Sequence, residues 1–320
     1  MIMCGALRSP LLSLAIAALG VVSLAGRASA TVVRFVTSVG NVDVRLYHGA
    51  TPLSVANFLN YATSNRYDGT FIHRVPQLLS GGTSDFVVQG GGFKLNNSIF
   101  AAAGIATDPP VLNEPGISNL RGTLSYAKGS NPDSATSQWF FNVDDNTALD
   151  LPVNGAFTAF GRVVGNGMTV VDAINNLPTV NAAAAQNAPM EDFDEIPVTD
   201  INKVIQQNNI TNAEAVMLLD VRQLNIPTGD YNLDGRVNGA DLAVFEASFG
   251  SRIKAEADGN GNGVIDGGDF LIWQRTLGQN FGTPSSATIP EPAGIALAGL
   301  AALPLMLARR RHRLANRLIA

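Results

Sequence analysis

From Thr31 to about Ile226 the apolar and polar positions fall into short β-type runs: TVVRFVT, NVDVRLY, FIHRV, DFVVQGG, GTLSYA, QWFFNV and AFTAFGRVV. Gly, Asn, Asp or Pro punctuates them at intervals that suit an antiparallel sheet closed or nearly closed on itself. Two stretches change period. Thr51-Pro52 offers an N-cap and a proline at the first helical position, with Phe58, Leu59 and Ala62 on one face; Gly167 to Leu177 repeats the spacing with Val170, Val171 and Ile174. The pattern predicts a β barrel with two helices.

After Ile226 the composition shifts abruptly. Asp230, Asn232, Asp234, Asn238 and Asp241 stand at positions 1, 3, 5, 9 and 12 of a loop with Gly235 at position 6, and Asp258, Asn260, Asn262, Asp266 and Asp269 repeat this around Gly263. Oxygen side chains at those positions, with backbone carbonyls at position 7 (Arg236 and Val264), are what a calcium ion needs. The runs DLAVFEASFG and DFLIWQRTLG then each start a short helix and stop it at Gly250 and Gly278. Two calcium sites are expected. The two blocks read as independent units, residues 31–226 and 228–281, so chelation should unfold only the second.

Both ends read as address labels. Arg8, an apolar run from Leu11 to Leu24 and Ala28-Ser29-Ala30 have the layout of a secretory signal peptide over residues 1–30, with a mature chain beginning at Thr31. At the other end, a linker (282–292) carries Pro290-Glu291-Pro292, followed by an apolar run and an arginine-rich tail (293–320). The protein is therefore expected outside the cytoplasm, in the cell envelope or beyond, with transient membrane anchoring by the C-terminal segment. Its single cysteine, Cys4, precedes the apolar run, so neither lipid nor disulfide is expected in the mature chain. Without its ends the chain keeps 14 basic against 25 acidic residues, a net −11 that excludes nucleic acid as a natural partner.

The candidate chemistry lies in FIHRV and FVVQGGGF, where a cation interrupts an apolar run. An arginine there is paired, exposed, or aimed at a ligand. In order, FIHRV, FVVQGGGF, NLRGTLSYA, DSATSQWFFN, ALD and FGRVV resemble a cyclophilin-type peptidyl-prolyl cis-trans isomerase of the bacterial kind. That resemblance implies a mainly β fold, a closed antiparallel eight-stranded barrel with two helices, and rotation of X-Pro bonds in proline-containing peptides or unfolded secreted proteins, without covalent chemistry or a catalytic cofactor. It implies Arg74 as the donor to the imide nitrogen and Gln89 as its orienting neighbour. Phe86, Val87, Phe140 and Leu149 match the proline pocket, and His73, Ala127, Gln138 and Phe157 the peptide groove. Ala148 stands where tryptophan is usual, Phe157 where histidine is, and Lys128 where asparagine is. The alternatives are a proline-peptide binding module without turnover and a surface scaffold.

The duplicated loops resemble a type I dockerin, a small all-α calcium domain, which implies a cohesin-like partner. The pairs before the last ligand, Gly239-Ala240 and Gly267-Gly268, lack the hydroxyl residues typical of cellulosomal dockerins. The C-terminal layout resembles the bacterial PEP-CTERM sorting signal, which implies a membrane sorting protease as a further partner.

Overall fold

In a computed structural model of the chain, the residues described are 30–76, 86–182 and 193–281. The signal segment up to Ser29, the insert 77–85, the PEP motif and the C-terminal span lie outside them.

Among the described residues twelve strands form: β1 (Val32–Thr37), β2 (Asn41–Leu46), β3 (Thr70–Phe71), β4 (Val87–Gly90), β5 (Phe93–Lys94), β6 (Ala103–Gly104), β7 (Thr123–Tyr126), β8 (Trp139–Asn142), β9 (Ala159–Val164), β10 (Thr179–Val180), β11 (Ile196–Pro197) and β12 (Met217–Gln223). Ten of them make one antiparallel sheet in the order β4-β8-β7-β9-β2-β1-β12-β3-β5-β6. Eight strands were expected; the extra pair is the β5–β6 hairpin, formed within the long segment after the glycine run and laid against β3. Beyond β3 the chain continues to an isolated antiparallel bridge between Arg74 and Gln89 of β4.

The alternation read from the sequence sets the core. Val33 and Phe35 of β1, Val42, Val44 and Leu46 of β2, and Trp139 and Phe141 of β8 point into one cluster. Helix α1 (Pro52–Thr63) closes it with Val55, Phe58 and Tyr61, and α2 (Gly167–Asn175) with Val171 and Ile174. Thr51 is not the side-chain cap of α1. Its hydroxyl donates to the Tyr47 carbonyl instead, and the Glu114 carboxylate accepts from the N–H groups of Leu53 and Ser54 at 3.2 and 2.8 Å. A distant carboxylate supplies the negative charge that a helix N-terminus favours.

A third helix, α3 (Ile201–Gln207), was not expected. Asp200 caps it through the Lys203 N–H, and Val204 ties it to a second cluster with Phe71, Phe193, Ile196 and Met217. Seven residues with one buried position give too weak a period to be seen in the sequence.

The Asp- and Asn-rich block carries α4 (Gly239–Ser248) and α5 (Gly267–Thr276), packed through Phe245, Phe270 and Trp273. Each helix starts with a reciprocal capping box, Asn238 with Asp241 and Asp266 with Asp269. The block packs against the sheet domain. Its loops lie on the outer face of β1, β2 and β9, where Val32, Tyr47 and Val164 meet Ala255 and Leu233.

Candidate functional site

Three neighbouring strand positions make the site. In the β4–β8 ladder Gln89 stands opposite Phe140, and Arg74 bridges Gln89 from the other side. Side chains alternate across a strand. Trp139 and Phe141 therefore enter the core while Phe140 turns to the opposite face, and Val88 enters the core while Val87 and Gln89 do the same as Phe140.

These side chains open on one cleft of about 400 Å³. Phe86, Val87, Phe140, Leu149 and Phe157 form its apolar wall; Arg74, Gln89 and Gln138 bring polar groups to it, and Ala127 borders it. Phe140 and Phe157 meet edge to face, 6.0 Å between centroids. Gln89 Nε2 donates to Gln138 Oε1 at 2.8 Å, which leaves the Gln89 carbonyl oxygen free of that contact and fixes the amide.

The run Gly90-Gly91-Gly92 is the close-packed hinge of this arrangement. A Cβ at Gly90 or Gly91 would strike the Trp139 indole, and one at Gly92 would lie 2.9 Å from the Gln138 side chain. Only glycine lets β4 pass its neighbour at this separation.

One expected groove residue is elsewhere. His73 is fully buried and does not line the cleft; its ring is edge-on to Phe93 at 5.0 Å and near Phe71 and Phe193. Burial, with a smaller push from the Arg74 charge, lowers its pKa to about 4, so it is neutral at pH 7. It follows Phe71 and Ile72, and its pocket is completed by Phe193, a residue far along the chain.

Two groove features were missed. Lys128 lies over the Phe157 ring, 4.2 Å from its centroid, and burial lowers its pKa. Asp194 pairs with Arg74 at 3.6 Å, both side chains about one third exposed. Nothing in the spacing of Asp194 points to Arg74. Ala148, by contrast, is exposed on the turn Thr147–Asp150, outside the cleft lining.

In the second block the two loops share one hydrogen-bond plan. The Asp230 carboxylate accepts from the N–H groups of Asp234 and Gly235, and Asp258 from those of Asn262 and Gly263. Asp241 accepts from Tyr231, Asn232 and Asn238, and Asp269 from Asn260 and Asp266. All four carboxylates are buried, and burial raises Asp258 to about 6, with Asp269 adding to the rise. Among the described residues no three His, Cys, Asp or Glu side chains converge closely enough to hold a metal by themselves. A calcium ion here would therefore also draw on the Asn oxygens and the carbonyls of Arg236 and Val264, a donor set that suits a hard cation.

Residues 32–198 match the family model of cyclophilin type peptidyl-prolyl cis-trans isomerase/CLD, and residues 228–278 match the type I dockerin domain. The chain is 42% identical over 164 residues to a peptidyl-prolyl cis-trans isomerase of Acinetobacter baylyi, covering 50% of this chain and 80% of that one. It is 35% identical over 166 residues to peptidyl-prolyl cis-trans isomerase B of Escherichia coli, covering 50% and 93%. A crystal structure of a cyclophilin type isomerase from Cryptosporidium parvum is similar at 19% identity and a TM-score of 0.42, over 62% of this chain and 99% of that one. This chain belongs to the cyclophilin-type family and is a peptidyl-prolyl cis–trans isomerase.

Proposed function

We propose that the cleft between Arg74 and Phe140 is where the X-Pro bond turns. The observation that carries this reading is the ladder Arg74, Gln89, Phe140, which sets a guanidinium, an anchored amide and an aromatic face on one opening. The barrier to rotation, roughly 18–20 kcal/mol, comes from amide resonance, so no bond has to be made or broken. The proline ring sits against Phe86, Val87, Phe140 and Leu149. An Arg74 N–H then donates to the imide nitrogen, whose lone pair is available only when the bond is twisted. That interaction is stronger in the transition state than in either ground state, which is what accelerates the step. Gln89, held by Gln138, receives or orients the flanking peptide. The curled sheet acts as a closed eight-stranded barrel joined at the Arg74–Gln89 bridge, which keeps these groups in register.

A proline-containing peptide titrated into the protein should move the NMR signals of Val87, Ala127 and Leu149 and leave the His73 ring signals in place. Shifts confined to other surfaces would place the substrate site elsewhere.

The second block binds two calcium ions in this reading, one held by Asp230, Asn232, Asp234, Asn238 and Asp241 and the other by Asp258, Asn260, Asn262, Asp266 and Asp269, and it serves a cohesin-type partner. The foldase works on exported proteins. This last point is supported by the N-terminal signal layout and by the C-terminal PEP motif, apolar run and arginines. Intact mass of protein recovered from outside the cytoplasm should correspond to a chain starting at Thr31; an unprocessed N-terminus would refute export by that signal.

A further inference from the structure

The outer face of the sheet beneath the calcium loops is not made for water. Val42, Val44 and Leu46 of β2 point into the core, so Arg45 points outward, yet it is fully buried. The loops cover it. Its Nη2 donates to the Asp230 carbonyl at 3.3 Å, and its guanidinium lies over the Tyr231 ring, 5.8 Å from the centroid. Nε and Nη1 have no hydrogen-bond partner, and the charges that act on the group are Asp258, Asp230 and Glu256. A buried cation so placed is compensated only by the loops' own negative charge.

The backbones are joined as well. The N–H groups of Gly49 and Ala50 both donate to the Gly261 carbonyl, at 2.9 and 3.1 Å. Position 4 of each loop meets the sheet domain. Gly261 has φ +67°, and a Cβ there would come within 2.8 Å of the His48 nitrogen. Its counterpart in the first loop, Leu233, takes the same left-handed conformation at φ +61°, unfavourable for a leucine, while packing with Val32, Tyr47 and Val164. The second loop gave up a side chain to let the backbones touch, and the first accepted strain to keep one in the interface.

We propose that the calcium-loop block is an intramolecular clamp on the isomerase domain, and that calcium occupancy sets the stability of the β1–β2 segment from Thr31 to Ala50, with Arg45 as the coupling charge. This rests on the calcium reading above. Each loop contributes three carboxylates, Asp230, Asp234 and Asp241 in one and Asp258, Asp266 and Asp269 in the other. A divalent ion leaves each loop with a negative surplus, which Arg45 meets from below. Ion binding orders the same loop segment whose Gly261 carbonyl holds Gly49 and Ala50, so its free energy is shared with the β1–β2 segment.

The test uses the full chain, with calcium uptake followed by titration calorimetry and backbone amide exchange followed by NMR, in excess calcium and after chelation. Wild type should take up two ions, and the Gly49 and Ala50 amides should exchange at least about tenfold faster once calcium is removed, as linkage at saturating ligand requires. Arg45→Met keeps the volume and removes the charge; Leu233→Gly removes the contact and relieves the left-handed strain, so it should fold. Both should still bind calcium while the calcium effect on residues 31–50 falls below about twofold. Calcium uptake with no change at Gly49 and Ala50 would overturn the clamp and leave the calcium reading standing. No uptake would overturn both. An undiminished calcium effect in Arg45→Met would remove Arg45 from the coupling.

Discussion

Arg74→Ala lowers kcat/KM for an X-Pro peptide by about 10²–10³-fold, the loss that follows removal of one donor aimed at a transition state. The same change moves the melting temperature by no more than about 4 °C, because the side chain supports little of the fold. Its ion pair with Asp194 is long, at 3.6 Å, with both side chains about one third exposed, and partly exposed pairs of that kind are worth about 0–1 kcal/mol. Its Nε has no hydrogen-bond partner. Arg74→Lys should recover only a small part of the rate, since a single ammonium cannot hold the planar fork over the imide nitrogen. Comparing activity with thermal unfolding separates the two roles. A melting temperature that collapses along with the rate would make Arg74 a structural residue.

Gly91→Ala should have the largest effect on stability. Gly91 has φ +81°, and a Cβ there would lie 2.5 Å from Trp139 Nε1 and 2.9 Å from the Ser137 carbonyl. The indole cannot yield. It is buried edge-on to Phe35, 4.9 Å between centroids, and also against Tyr67 and Phe141. Overpacking of a filled core costs about 1–3 kcal/mol and a left-handed alanine about 1–2 kcal/mol more, so a loss of about 2–5 kcal/mol is expected. That is a large part of a typical domain's stability. Gly165→Ala is the control. Gly165 has φ +60° but nothing within 4 Å of the added Cβ, so it should cost only the backbone term, about 1–2 kcal/mol. Denaturant unfolding of the two variants reads the difference directly; equal losses would mean that the Trp139 contact is not what holds β4 in place.

What the chain discloses before its fold is known depends on how local the cause is. The β-type runs such as VVRFVT and QWFFNV were visible because a strand's residue types follow from its immediate neighbours. The Arg74, Gln89 and Phe140 grouping was legible through its resemblance to a family whose motifs occur in the same order. The repeated loop positions of the second block were legible because the spacing is written into a single segment.

The features that escaped all depend on distant partners. His73 read as a groove residue from its place beside Arg74, but Phe193 turns its surroundings into an apolar pocket. Glu114 takes over the N-terminus of α1 from Thr51, a residue more than sixty positions away, through bonds to Leu53 and Ser54. Arg45 reads as an ordinary outward-facing strand residue like Arg34, which pairs with Asp43 at 2.7 Å; only the docking of the calcium loops makes it a buried charge. Leu233 carries no sign of its left-handed backbone, because the glycine usual in such a conformation is present only in the second loop, at Gly261.

The most direct measurement is an NMR exchange assay, free of any coupled protease, of cis–trans interconversion in a short X-Pro peptide with the intact protein and with its Arg74→Ala variant. The account predicts line broadening and exchange cross-peaks at substoichiometric wild-type protein, with the exchange rate falling by about 10²–10³-fold in the variant. Wild-type and variant proteins that are both folded and accelerate the exchange equally would contradict it.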